Sequence, residues 1–176
     1  MKTIKNYICL LSILFFWNGY CQQTKLKIGD RIPEFELYNQ YARTFNSLDH
    51  IDKQPLVIFF YPEDESKLCT KQFNIVKNSI ANFKKFNAVV IGINSESIVN
   101  HKRFVLNNEL PIQLLFDRNN DVQDLFGVPY LKSKKPKRYT FVIDKNGIII
   151  DVFYSKKYVQ YHVNQALITL NNITNN

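Results

Sequence analysis

Apolar positions along the chain follow two rhythms. Pro55 to Tyr61 and Ala88 to Ile93 are nearly unbroken apolar runs of strand length, as expected of strands covered on both faces. Thr70 to Phe86 repeats differently: Phe73, Ile75, Val76, Ile80, Phe83 and Phe86 keep one side of a helix apolar. A second helix is predicted over Ser97 to Asn108, with Ile98, Val105 and Leu106 turned inward. A short helix follows over Asp121 to Phe126, stopped by Gly127, and a last one runs from Tyr158 to Leu170. Phe35 to Tyr38 alternates at period two and reads as a short strand, as does Gln113 to Phe116, whereas Asn46-Ser47-Leu48 reads as a turn into a loop. Tyr139 to Ile143 and Ile148 to Tyr154 are strands on either side of Asp144-Lys145-Asn146-Gly147, whose Asn-Gly pair is a hairpin signal. Residues 171–176 present no apolar face and read as a flexible tail.

This order implies an α/β fold. Strand-helix-strand units make the central strands parallel, and the late hairpin adds an antiparallel edge, giving a mixed central β-sheet flanked by helices. That is the thioredoxin-like arrangement. Ligands in such sheets gather at the carboxyl ends of the parallel strands, where the polar loop after Tyr61 falls.

Length and charge narrow the picture further. At 176 residues the chain holds one domain with a substantial core. Its formal charge of +8 describes a basic surface. Nucleic-acid binding would require those charges to cluster on one face, and the densest run, Lys132 to Arg138, lies in a connection, so no nucleic-acid partner is expected. Lys2 and Lys5 precede an apolar run from Tyr7 to Trp17, followed by Gly19 and Cys21, two small residues two apart. The run is shorter than the ~20 residues of a spanning helix. The expectation is an export signal over residues 1–21, cleaved after Cys21, ahead of a domain at 22–170 in the periplasm or outside the cell. Lipid attachment at Cys21, giving an anchored envelope protein, is the lesser alternative because bulky Tyr20 precedes it. Cys9 and Cys21 belong to this leader, so the mature domain would keep Cys69 alone and could not staple itself with a disulfide.

Cys69 closes the loop that begins at Pro62. A thiol at the start of a helix faces unpaired backbone N–H groups and the positive end of the helix dipole, which favour negative charge on sulfur. Read singly, the neighbours are unremarkable: Cys69 could be a small buried hydrophobe, Pro62 a strand terminator, Ser66 a cap, and Arg138 a surface cation. Glu63, Asp64 and Glu65 read as a solvated rim, although three acids beside a thiolate would oppose its ionisation. His50, His101 and His162 lack a second ligand at metal-binding spacing and read as surface or packing residues.

Together these residues carry a family resemblance. The spacing PxxxSxxC formed by Pro62, Ser66 and Cys69 resembles the active-site loop of the peroxiredoxins. Gly29-Asp30-Arg31-Ile32-Pro33-Glu34-Phe35 is similar to that family's opening, Phe60-Tyr61 and Thr70 flank the loop as in the family, and Arg138 to Asp144 resembles its late strand. The resemblance covers about residues 26 to 170 and is nearest to the bacterioferritin-comigratory subgroup. It implies a thiol peroxidase without cofactor or metal. Cys69 would be the peroxidatic nucleophile, Ser66 would hydrogen-bond the peroxide, Pro62 would shield the sulfur, and Arg138 would stabilise the thiolate and the charge developing on oxygen.

Departures from that pattern shape the expected turnover. Many members of the subgroup carry a resolving cysteine five residues after the first, a position that is Asn74 here. The implied mode is one-cysteine catalysis on a hydroperoxide, with an external thiol reductant, either a thioredoxin-like protein or a low-molecular-weight thiol such as glutathione. The protein would act as a monomer or homodimer. Ser66-Lys67-Leu68 also replaces the family's usual Thr-Pro-Gly. The competing classes are a thiol-disulfide oxidoreductase, which needs a CxxC that is missing around Cys69, and a non-catalytic thioredoxin-like binding module, in which peroxide would leave Cys69 unoxidised.

Overall fold

The computed structural model describes residues 26–174. The predicted export signal lies outside them. Seven strands form one sheet: β1 (Glu36–Asn39), β2 (Thr44–Asn46), β3 (Leu56–Phe60), β4 (Val89–Asn94), β5 (Gln113–Phe116), β6 (Tyr139–Ile143) and β7 (Ile149–Tyr154), in the spatial order β2-β1-β5-β4-β3-β6-β7. β3, β4 and β5 are parallel, and all remaining pairs are antiparallel. The expected mixed sheet is therefore present, with β7 as the antiparallel edge.

Helices α1 (Lys67–Lys85), α2 (Ile98–Asn108) and α4 (Val159–Thr174) contribute to one face, and α3 (Asp121–Phe126) packs with the N-terminal segment on the other. β3 shows why its sequence has no polar interruption. Val57 and Phe59 point into the core beneath α1, while Leu56, Ile58 and Phe60 point into the opposite core with Phe126 and Phe141. All five are buried. The β6–β7 hairpin turns as expected: Gly147 takes φ +80°, and the Asp144 carboxylate accepts from the Asn146 and Ile148 N–H groups.

Three expectations are corrected and one strand is added. Helix α1 begins at Lys67, three residues before Thr70, so Cys69 lies within its first turn. β2 is an added short strand that ends at Asn46, where the expected turn begins, because Phe45 finds a buried site against Phe35 on the far face. On α2 the inward stripe is His101, Phe104 and Val105, while Leu106 is exposed. A polar residue sets the phase of that helix, which hydrophobicity alone places one step away. Finally, the expected tail is helical as far as Thr174, since Ile173 packs against the core one turn beyond Leu170.

Candidate active site

The site forms where β3 ends. Its chain leaves the sheet at Tyr61, crosses a loop through Pro62 and Ser66, and enters α1. Ser66 is the N-cap, with extended backbone and a carbonyl that accepts the Thr70 N–H at 2.8 Å. The amides of Lys67, Leu68 and Cys69 therefore precede the helical ladder. Ser66 does not cap them with its side chain; its hydroxyl instead donates to the Glu63 carbonyl at 3.3 Å. Cys69, the free cysteine among the described residues, is fully buried in this first turn.

Arg138 arrives from the residue before β6, the antiparallel neighbour of β3. It is 5% exposed, and its Nη2 donates to Cys69 Sγ at 3.2 Å. Nη1 donates to the Gln72 side-chain oxygen. Gln72 lies one helical turn after Cys69, so both side chains meet the same guanidinium. Gln72 Nε2 and Arg138 Nε are buried without partners. Among the described residues no carboxylate lies within 4.0 Å of Arg138, leaving a buried cation whose charge is aimed at sulfur.

Of the acidic triplet, Glu63 and Glu65 are exposed, as expected of a solvated rim, whereas Asp64 departs from that expectation. Asp64 is buried: Oδ1 accepts from the Tyr61 hydroxyl at 2.7 Å and the Asn94 amide at 3.1 Å, and Oδ2 meets His101 Nδ1 at 2.8 Å. Asp64 thereby joins the end of β3, the end of β4 and the first turn of α2. Glu65, with φ +56°, is held by Arg103 at 2.9 Å and by Asn107 at 2.9 Å, both from α2. Glu63 pairs with Lys135 at 2.8 Å, and Lys135 also reaches Glu96 at 3.1 Å. Asp64 and Glu65 both tie the loop to α2, and Glu63 ties it to the segment before β6. Burial, with Asp64 adding to it, keeps Tyr61 ionising well above the ordinary 10, so its hydroxyl remains a donor.

The four residues singled out in the sequence thus come together: Cys69 contacts Arg138, and Arg138 lines one cleft with Pro62 and Ser66. Arg138, surface-like in its basic run, is buried. Gln72, Asp64 and His101 were missed. The spacing from Cys69 to Gln72 signalled a shared helix face, but nothing local marked Asp64 or His101, whose burial depends on α2. His50 stacks on Phe45, and His162 is buried at the foot of β6, so both are packing residues.

Comparison with known proteins identifies the family and the fold. Residues 28–152 match the AhpC/TSA family. The putative chloroplastic peroxiredoxin Q of Oryza sativa subsp. indica is 37% identical over 144 residues, covering 81% of this chain and 66% of its own length. The chain thus spans slightly under two thirds of that relative. The chloroplastic peroxiredoxin Q of Sedum lineare is 38% identical over 144 residues, covering 81% of this chain and 77% of the relative. Among solved structures, peroxidoxin BcpB from Mycobacterium tuberculosis superposes with a TM-score of 0.79 at 30% identity, over 84% of this chain and 98% of that one. The chain belongs to the AhpC/TSA family, the peroxiredoxins, and within it resembles peroxiredoxin Q and the bacterioferritin-comigratory proteins.

Proposed function

We propose that the protein is a thiol-dependent peroxidase that reduces hydrogen peroxide or organic hydroperoxides through Cys69. The observation that carries this reading is the buried Arg138 guanidinium, with no carboxylate within 4.0 Å among the described residues, donating to Cys69 Sγ at 3.2 Å. The sulfur attacks one peroxide oxygen as thiolate, and the O–O bond breaks. That oxygen stays on sulfur as sulfenic acid, and the other leaves with a proton as water or an alcohol. Arg138 holds charge first on sulfur and then on the departing oxygen. The Ser66 hydroxyl, not needed as a cap, is free to exchange its Glu63 contact for the peroxide. Pro62 offers no N–H donor and walls the sulfur from water. With Cys69 as the free cysteine among the described residues, the sulfenic acid is reduced by an external thiol. Residues 1–21 act as an export signal, so that reductant is met outside the cytoplasm.

The test uses the full chain and one equivalent of hydrogen peroxide, following peroxide loss and the intact mass. Rapid addition of one oxygen, abolished in Cys69→Ser and slowed about a hundredfold in Arg138→Ala, is the expected result. A Cys69 that oxidises no faster than a free thiol would leave the protein as a non-catalytic binding module on this fold.

A further inference from the structure

The cleft lined by Arg138, whose guanidinium donates to the buried Cys69, has a one-sided charge. Its volume is about 290 Å³, and it is lined by Pro62, Ser66 and Leu68 from the loop and α1, together with Leu131, Tyr154 and Arg138. Every other titratable head group besides the tyrosine is a lysine: Lys67, Lys137 and Lys156. None has a carboxylate within 4.0 Å among the described residues. The nearby acids are already engaged, Glu63 and Glu96 by Lys135, Glu65 by Arg103, and Asp64 within the core. Lys67 also occupies the first position of α1, where a cation opposes the helix dipole and no acidic residue shares the turn. An unneutralised cluster of cations around a small, largely apolar hollow concentrates anions there.

The reaction requires a second ligand at this place. Once Cys69 carries oxygen, a thiol must reach it, and the described chain supplies none. We infer that the reductant is a small carboxylate-bearing thiol, drawn into this cleft by Lys67, Lys137 and Lys156. The hollow has the volume of a short peptide, which favours a free molecule over a protein surface. The thiol sulfur bonds to Cys69 Sγ as the sulfenic oxygen leaves with two protons as water. A second thiol then attacks the mixed disulfide, releasing the small-molecule disulfide and restoring the Cys69 thiol. This inference rests on the peroxidase reading.

The experiment separates the two. The full chain is oxidised with one equivalent of hydrogen peroxide, and oxidation of Cys69 is verified by peptide mass mapping, which separates it from Cys9 and Cys21. Glutathione, glutathione diethyl ester and cysteamine are then added at matched thiolate concentration in low salt, and mixed-disulfide formation is followed by quenched-flow mass spectrometry. Glutathione should react about tenfold faster than its ester, with cysteamine slowest, and added salt should compress the series. Replacing Lys67, Lys137 and Lys156 together by Gln should remove the preference, and the ligand series in the unmutated protein decides the matter if that variant misfolds. Equal rates for the three thiols, or a dithiol protein reductant that outruns saturating glutathione, would overturn the inference while leaving the peroxidase intact. Failure of Cys69 to take up oxygen in the first step would end both.

Discussion

His162 provides a quantitative test of how the floor of the site is held. Its ring is fully buried, with Nε2 3.0 Å from the Ser155 carbonyl and Nδ1 2.8 Å from the Thr140 hydroxyl. A carbonyl can only accept, so Nε2 carries the hydrogen and Nδ1 accepts from Thr140; the ring is neutral and bridges β6, β7 and α4. Burial pushes its pKa down from 6.5 to about 4, and the nearby Arg138 charge acts in the same direction. Between those values the unfolded chain binds a proton that the folded chain refuses, so stability is full above pH 6.5 and is lost as pH falls toward 4. That drop from 6.5 to about 4 corresponds to about 3 kcal/mol at its limit, and about 2 kcal/mol of it is lost between pH 7 and pH 5. The perturbation is His162→Gln, whose amide does not titrate. Urea unfolding of both proteins at pH 7 and pH 5 gives the comparison. His50, which burial also holds low, titrates equally in both proteins and cancels. The unmutated protein should lose about 2 kcal/mol more than the variant over this interval. Identical pH dependence in the two proteins would refute a buried, neutral His162.

Three further outcomes follow from the same packing. In Gly92→Ala, the new Cβ would lie 2.7 Å from Leu114 Cδ2, 2.9 Å from Phe73 Cζ and 3.0 Å from Tyr61 Cε1, so urea unfolding should report a loss of about 2 kcal/mol. Unchanged stability there would mean that the core under the loop yields freely. Asp64→Ala leaves Tyr61, Asn94 and His101 facing an uncompensated gap and should cost about 3 kcal/mol, with slower peroxide consumption as the loop carrying Pro62 and Ser66 loses its anchor. A variant of wild-type stability and rate would remove Asp64 from that role. Truncation after Leu170 removes Ile173 from the core and should lower stability by about 1 kcal/mol, whereas a truly frayed tail would be lost without effect.

The sequence by itself determined the elements and the chemistry carried by short spacing. The unbroken apolar run of β3 demanded cover on both faces, the Asn-Gly turn demanded an antiparallel hairpin, and Pro62, Ser66 and Cys69 lie within one loop and one helical turn. Such features depend on neighbours along the chain, so a periodicity or a motif reveals them. Arg138 was legible through its family setting, since its own basic run suggested a surface residue.

Tertiary structure decided the rest, because burial is a property of what packs from elsewhere. Asp64 sits between two exposed acids and is indistinguishable from them locally; it is buried because α2 brings His101, and β4 brings Asn94, over the end of β3. The same pairing turns His101 inward and rotates Leu106 out to solvent, reversing a preference that hydrophobicity alone would assign. Gln72 became part of the site only when β6 brought Arg138 across α1, and the lysines at 67, 137 and 156 became one cationic rim only when three distant segments met. Hydrophobic patterning positions elements by their apolar faces, but it carries no information about which polar groups those elements will bring within hydrogen-bonding reach of one another.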